Sequence, residues 1–273
     1  MIKRTGKIGI FDSGLGGLTI LKEVVKLMPC YEYIYLGDNQ NTPYGNKSQD
    51  KIFNLTLAGV EWLFRNGAEI VVLACNTASA NALRKIQREV LPVRYPDKRV
   101  LGIIIPTVEE IEKYSKTGHI GILATKATIE SRIYEAEMKK QNPHIKIFSQ
   151  SGGNLANLIE LNNKVEMLTE INSVVEELIS KNNLIDTVVL GCTHYALIEE
   201  EIAQILPKHI HVVSQGELVA KKLKDYLTKH VEINIKLSNL FSLNFNTTSD
   251  SKHVQQLMTY FYGEKISISM VKI

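Results

Sequence analysis

The sequence predicts an α/β protein built from two pseudo-symmetric, doubly wound parallel-sheet domains. Three observations carry this. Short β-branched runs alternate with helix-period segments, one such unit appears twice, and a cysteine closes the corresponding strand in each copy. Continuous apolar strands separated by helices mark a parallel sheet covered on both faces.

The elements follow in order. Residues 8–11, 33–36, 70–73 and 101–105 read as buried strands, with apolar residues at helical spacing between them, such as Leu83, Ile86 and Val90 after Ser79. The pattern then returns. Lys7-Ile8-Gly9-Ile10-Phe11 resembles His119-Ile120-Gly121-Ile122-Leu123, 112 residues on, and the run into Cys75 resembles the run into Cys192, 117 residues on. A helix over Leu168, Ile171, Val175 and Leu178 lies inside the second copy. Two similar offsets in the same order indicate a duplicated unit. The expected domains are 1–99 plus 214–273, carrying Cys75, and 100–213, carrying Cys192. In the tail, a helix pattern runs through Tyr226. The segments Ile233/Ile235, Phe241/Leu243/Phe245 and Ile266/Ile268/Met270 then read as strands returning to the first domain, with antiparallel pairing as one arrangement.

Composition narrows the function. The 273 residues are 44% hydrophobic and 22% charged with a net charge of +3, which permits a real core and argues against global disorder. Basic residues are scattered, and the one dense stretch, Lys221, Lys222 and Lys224, is expected as a solvated helix face rather than a nucleic-acid surface. Met1 to Lys7 is followed by only four apolar residues before Asp12, too few for a signal-peptide core. No run of 18 apolar residues occurs either. The expectation is a cytoplasmic protein with no membrane partner. Three cysteines without a C-x-x-C pair point to reduced thiols rather than a disulfide scaffold or structural zinc.

In open parallel sheets, ligands bind beyond the carboxyl ends of the strands, and the informative motifs fall there. Asp12-Ser13-Gly14-Leu15-Gly16-Gly17 follows the first strand. It is not a dinucleotide fingerprint, because Thr19 stands where the third glycine belongs, and no P-loop motif exists. Pro43-Tyr44-Gly45 follows the second strand and supplies turn chemistry and a ring that could cover a ligand. Cys75-Asn76-Thr77 and Cys192-Thr193-His194 form the repeat pair. Each cysteine closes a buried strand before a helix, a position that lowers a thiol pKa. If the domains face each other, the sulfurs do so across the cleft between them, which makes that cleft the expected active site. Cys30, after Met28-Pro29, has no polar cluster and is assigned no role. Cys192-x-His194 lacks a second ligand pair, so no metal is expected. Pyridoxal phosphate would need a lysine in the site; none lies in the motifs, although Lys47 and Lys126 are near in sequence.

Two opposed thiols suit inversion of a stereocentre, since one takes a proton from one face while the other delivers one to the opposite face. Asp12 and His194 are the natural tuning groups, Asp12 for Cys75 and His194 for Cys192. Neutral donors from Ser13, Asn76, Thr77, Thr193 and backbone N–H groups would hold carboxylates and stabilise a developing carbanion.

Together the four motifs resemble the glutamate racemases of the aspartate/glutamate racemase superfamily, over about residues 7–220. The resemblance rests on 12–17, 43–45, 74–80 and 191–195. It implies cofactor-free interconversion of L- and D-glutamate for peptidoglycan, with Cys75 and Cys192 as the acid–base pair. It further implies substrate contacts from Asp12, Ser13, Tyr44, Gly45, Asn76, Thr77, Thr193 and His194. The small-molecule partner is then glutamate, and the expected assembly is a homodimer. Residues 149–155, Ser214-Gln215-Gly216 and Tyr195-Ala196 depart from the family's usual residues, and Glu160 is not carried over. A racemase for another acidic amino acid, such as aspartate, and a non-catalytic two-domain ligand-binding module remain the alternatives.

Overall fold

The computed structural model describes residues 4–250 and 252–273, so the reading of Met1 to Lys7 falls partly outside the described residues. Among the described residues, ten strands form two sheets. In chain order they are β1 (Lys7–Asp12), β2 (Glu32–Gly37), β3 (Ala68–Leu73), β4 (Arg99–Gly102), β5 (His119–Ala124), β6 (Lys146–Ser151), β7 (Thr187–Gly191), β8 (His211–Val213), β9 (Ser242–Thr247) and β10 (Ile268–Met270). The first sheet has the order β10-β9-β2-β1-β3-β4 and the second β6-β5-β7-β8. Every strand pair is parallel. The order β2-β1-β3-β4 recurs as β6-β5-β7-β8, so the duplicated sequence is also a duplicated topology.

Strand alternation explains the layering. Ile8, Ile10, Ile70 and Val72 face one core, while Phe11, Val71 and Leu73 face another on the opposite side of the first sheet. In the second sheet Val188 and Leu190 join the first of these cores, and Val189 packs with Ile120, Ile122 and Tyr134 on the far face. One continuous core therefore spans both sheets.

The tail departs from two expectations. β9 and β10 add to the first sheet in parallel, not antiparallel, because the helix Lys252–Tyr262 lies between them and supplies the crossover that parallel pairing needs. Ile233 sits in a short helix, Val231–Asn234, rather than a strand. Farther upstream, the apolar run at 101–105 splits: β4 ends at Gly102, and Ile104 begins a helix through Ile111. A short apolar run carries no period that separates strand from buried helix.

Candidate active site

The carboxyl ends of β1, β3, β5 and β7 converge on a cavity of about 320 Å³. Nine of the ten expected residues line it: Ser13, Tyr44, Gly45, Cys75, Asn76, Thr77, Cys192, Thr193 and His194. Both cysteines thus open onto one space, each from the end of a central strand in its own sheet. Asp12 does not line the cavity. It is buried, and its Oδ2 accepts from the Gly14 N–H at 2.8 Å.

Cys75 caps the helix Asn76–Lys85, its sulfur accepting from the Ala78 N–H at 3.4 Å. Ser13 Oγ lies 3.1 Å from the same sulfur, so Ser13 rather than Asp12 is its side-chain partner. The expected lowering of this thiol is reversed. Burial, then the charge of Asp12, push Cys75 up to about 12, against the opposing bonds from Ser13 and Ala78. Cys75 therefore rests as a thiol.

Cys192 differs in its surroundings. The segment after it, Thr193–Ile198, is a 3₁₀ helix rather than an α-helix. Its sulfur lies 3.9 Å from His194 Nδ1, and the other ring nitrogen of His194 lies 2.8 Å from Glu160 Oε1. Burial alone would pull His194 down. The bonds and charges of Cys192 and Glu160 outweigh it and hold the imidazole well above its usual value. As an imidazolium, His194 donates Nε2–H to Glu160 and Nδ1–H toward the Cys192 sulfur.

The glycine loop has a steric function. A Cβ on Gly16 would collide with Thr193 Oγ1 and stand 2.6 Å from His194 Nδ1, so this loop of the first sheet reaches the second-sheet site only without a side chain. Tyr44 lines the cavity with its hydroxyl already donated to Asp38 Oδ2 at 2.7 Å. Thr77 Oγ1 lies 2.9 Å from Thr125 Oγ1, joining the two halves across the cavity.

Sequence reasoning missed Thr42, Pro43, Thr125, Asn154, Ala156, Asn157 and Glu160 as lining residues. Thr125 carried a usable signal, because the 112-residue repeat offset maps Ser13 onto it. Neither Lys47 nor Lys126 lines the cavity, and Lys126 pairs on the surface with Glu130 at 3.7 Å. Among the described residues no group of three or more His, Cys, Asp or Glu could hold a metal ion.

The model of the Asp/Glu/Hydantoin racemases matches residues 20–223. The chain belongs to the Asp/Glu/Hydantoin racemase family. Within the family it is similar to the glutamate racemase of Paracoccus denitrificans, at 38% identity over 95% of this chain and 97% of that protein. A crystal structure of a glutamate racemase isoform from Bacillus anthracis superposes with a TM-score of 0.89 at 29% identity, covering 99% of this chain and 98% of that one. The glutamate racemase of Francisella tularensis, solved in complex with D-glutamate, superposes with a TM-score of 0.84 at 28% identity and 98% coverage of both chains. This racemase-family chain thus shares both sheets, and the cavity between their strand ends lies within the matched region.

Proposed function

We propose that this chain is a glutamate racemase that interconverts L- and D-glutamate by two-base proton transfer between Cys75 and Cys192, without a cofactor. The observation that carries the reading is that both cysteines line one cavity, each from the end of a central strand of its own sheet. Identity to glutamate racemases over nearly the whole chain supports the substrate.

The chemistry follows from the geometry. A thiolate on one side removes the α-proton, and the thiol on the other delivers a proton to the opposite face. The reverse reaction swaps the roles. In the resting site Cys75 holds its proton as the acid of the pair, and the His194 ring faces Cys192 on the opposite side. Ser13, Asn76, Thr77, Thr193 and Thr125 offer neutral donors for the substrate carboxylates and for the carbanion. Asp12 acts on Cys75 electrostatically from behind the cavity wall. The halves 1–99 with 214–273, and 100–213, act as the two sides of the cleft. Among the described residues no helix is long and apolar enough to cross a membrane, which fits a cytoplasmic enzyme supplying D-glutamate for peptidoglycan. The proposed assembly is a homodimer, which light scattering would test.

Incubating each glutamate enantiomer in D2O tests the mechanism. Two-base transfer places deuterium in the product enantiomer early and little in recovered substrate. Rapid labelling of both pools indicates a single shared base and overturns it. Faster initial rates on aspartate than on glutamate would overturn the substrate. Binding without turnover would reduce the protein to a ligand-binding module.

A further inference from the structure

The two connections between the sheets meet beside Asn76. One passes through Ile103, between β4 and the helix Ile104–Ile111; the other passes through Gln215, between β8 and the helix Gly216–Lys229. Gln215 Nε2 reaches the Ile103 carbonyl at 3.4 Å and Thr107 Oγ1 at 2.8 Å. Thr107 already donates its hydroxyl proton to the same carbonyl at 2.8 Å, so toward Gln215 it can only accept.

That backbone carbonyl sets the direction of every bond that follows. Gln215 must turn Nε2 toward Thr107 and Oε1 toward Asn76, whose Nδ2 donates to Oε1 at 2.6 Å. Asn76 Oδ1 then accepts from the Tyr134 hydroxyl at 2.8 Å and from Gln215 Nε2 at 3.3 Å. A flipped Gln215 would set its oxygen against a carbonyl and a hydroxyl whose proton is committed. None of these four side chains is more than 3% exposed, so water cannot repair the mismatch. Asn76 Nδ2 has two N–H bonds. Gln215 takes one, the other has no partner among the described residues, and Asn76 lines the cavity.

We propose that Gln215 is a positioning residue for the reaction: it orients the Asn76 amide so that a free N–H, rather than a carbonyl oxygen, is presented to an anionic group of the substrate. This rests on the glutamate racemase reading above. A donor to a substrate carboxylate acts in ground and transition states alike, so its loss appears mainly in KM.

Gln215→Ala is expected to raise KM for glutamate about tenfold, with a smaller fall in kcat. In an Asn76→Ala background the same change should add less than about twofold, because the amide it orients is gone. Thr107→Val removes the acceptor that holds Gln215 without touching either amide. It should give a smaller KM rise of the same kind, and it serves if Gln215→Ala does not fold. An unchanged KM, or equal KM effects with and without the Asn76 amide, overturns the proposal and leaves Gln215 a structural residue. A wild-type chain that turns over neither enantiomer of glutamate overturns the functional reading instead, and this inference with it.

Discussion

His194 Nε2 lies 2.8 Å from Glu160 Oε1, while Nδ1 of the same ring faces the Cys192 sulfur. The imidazole therefore sits between a carboxyl group and the thiol proposed to exchange a proton with substrate. This gives the Cys192 side of the cavity a carboxyl–imidazole pair that the Cys75 side lacks, since Cys75 is met by a serine hydroxyl and a backbone N–H.

Replacing Glu160 with Gln should bring the His194 titration down toward its ordinary range. The sign follows from linkage. Because the folded state holds this group above its unfolded value near 6.5, its stabilisation is fully present below that value and is lost as pH rises through the folded pKa. Glu160→Gln moves that loss to lower pH. Imidazole NMR signals measure the shift directly. The expected fall in kcat is roughly tenfold, below the ~10²–10⁴ that losing an acid–base group itself costs. An unmoved His194 titration would remove Glu160 from the mechanism.

Asp12→Asn should stabilise the protein and slow it. Burial is the main cause raising the Asp12 carboxyl, ahead of the opposing attraction from His194, and its Oδ1 has no partner among the described residues. A raised carboxyl favours its neutral form. Its stabilisation is present below about pH 4 and lost as pH rises through the folded pKa, so at neutral pH a neutral isostere is preferred. The expected gain is about 1 kcal/mol, seen as a melting temperature higher by roughly 2–4 °C. The Cys75 thiol, held up at about 12 partly by Asp12, should titrate lower in the variant by thiolate absorbance, while turnover falls. A lower melting temperature would contradict this account.

Much of this site was legible because parallel sheets gather chemistry at strand ends, and the sequence marks those ends. Asp12, Cys75 and Cys192 each follow an unbroken apolar run, so their convergence needed only the order of the strands. Glu160 left no comparable mark. It comes from the end of the helix Leu155–Glu160 rather than a strand end, and its partner lies 34 residues away. The thiol shift of Cys75 is hidden from the sequence for a related reason. Its helix-capping position is readable locally, but the burial and the Asp12 charge that dominate it arise only when β1 and β3 pair. The parallel tail was hidden likewise, since residue alternation does not distinguish a strand's direction.

The glycine loop gives the sharpest steric prediction. Gly16 has φ −60° and ψ −31°, an ordinary right-handed conformation that alanine adopts freely, so Gly16→Ala carries no backbone penalty. Its Cβ would nevertheless stand 2.6 Å from His194 Nδ1 and 2.9 Å from His194 N, besides colliding with Thr193. The second-sheet loop must then retreat from the cavity. A displacement on the order of 1 Å at a reacting group can cost about 10²-fold, so kcat/KM should fall by about that factor in a protein that still folds. Gly67 is the opposite case. It has φ +93° with only the Lys7 stem 3.9 Å from an added Cβ, so Gly67→Ala should cost about 1 kcal/mol of stability and leave kcat unchanged. Thermal melts and steady-state kinetics on the two variants separate strain from geometry. If Gly16→Ala loses stability but keeps full kcat/KM, the approach of this loop to His194 has no catalytic meaning.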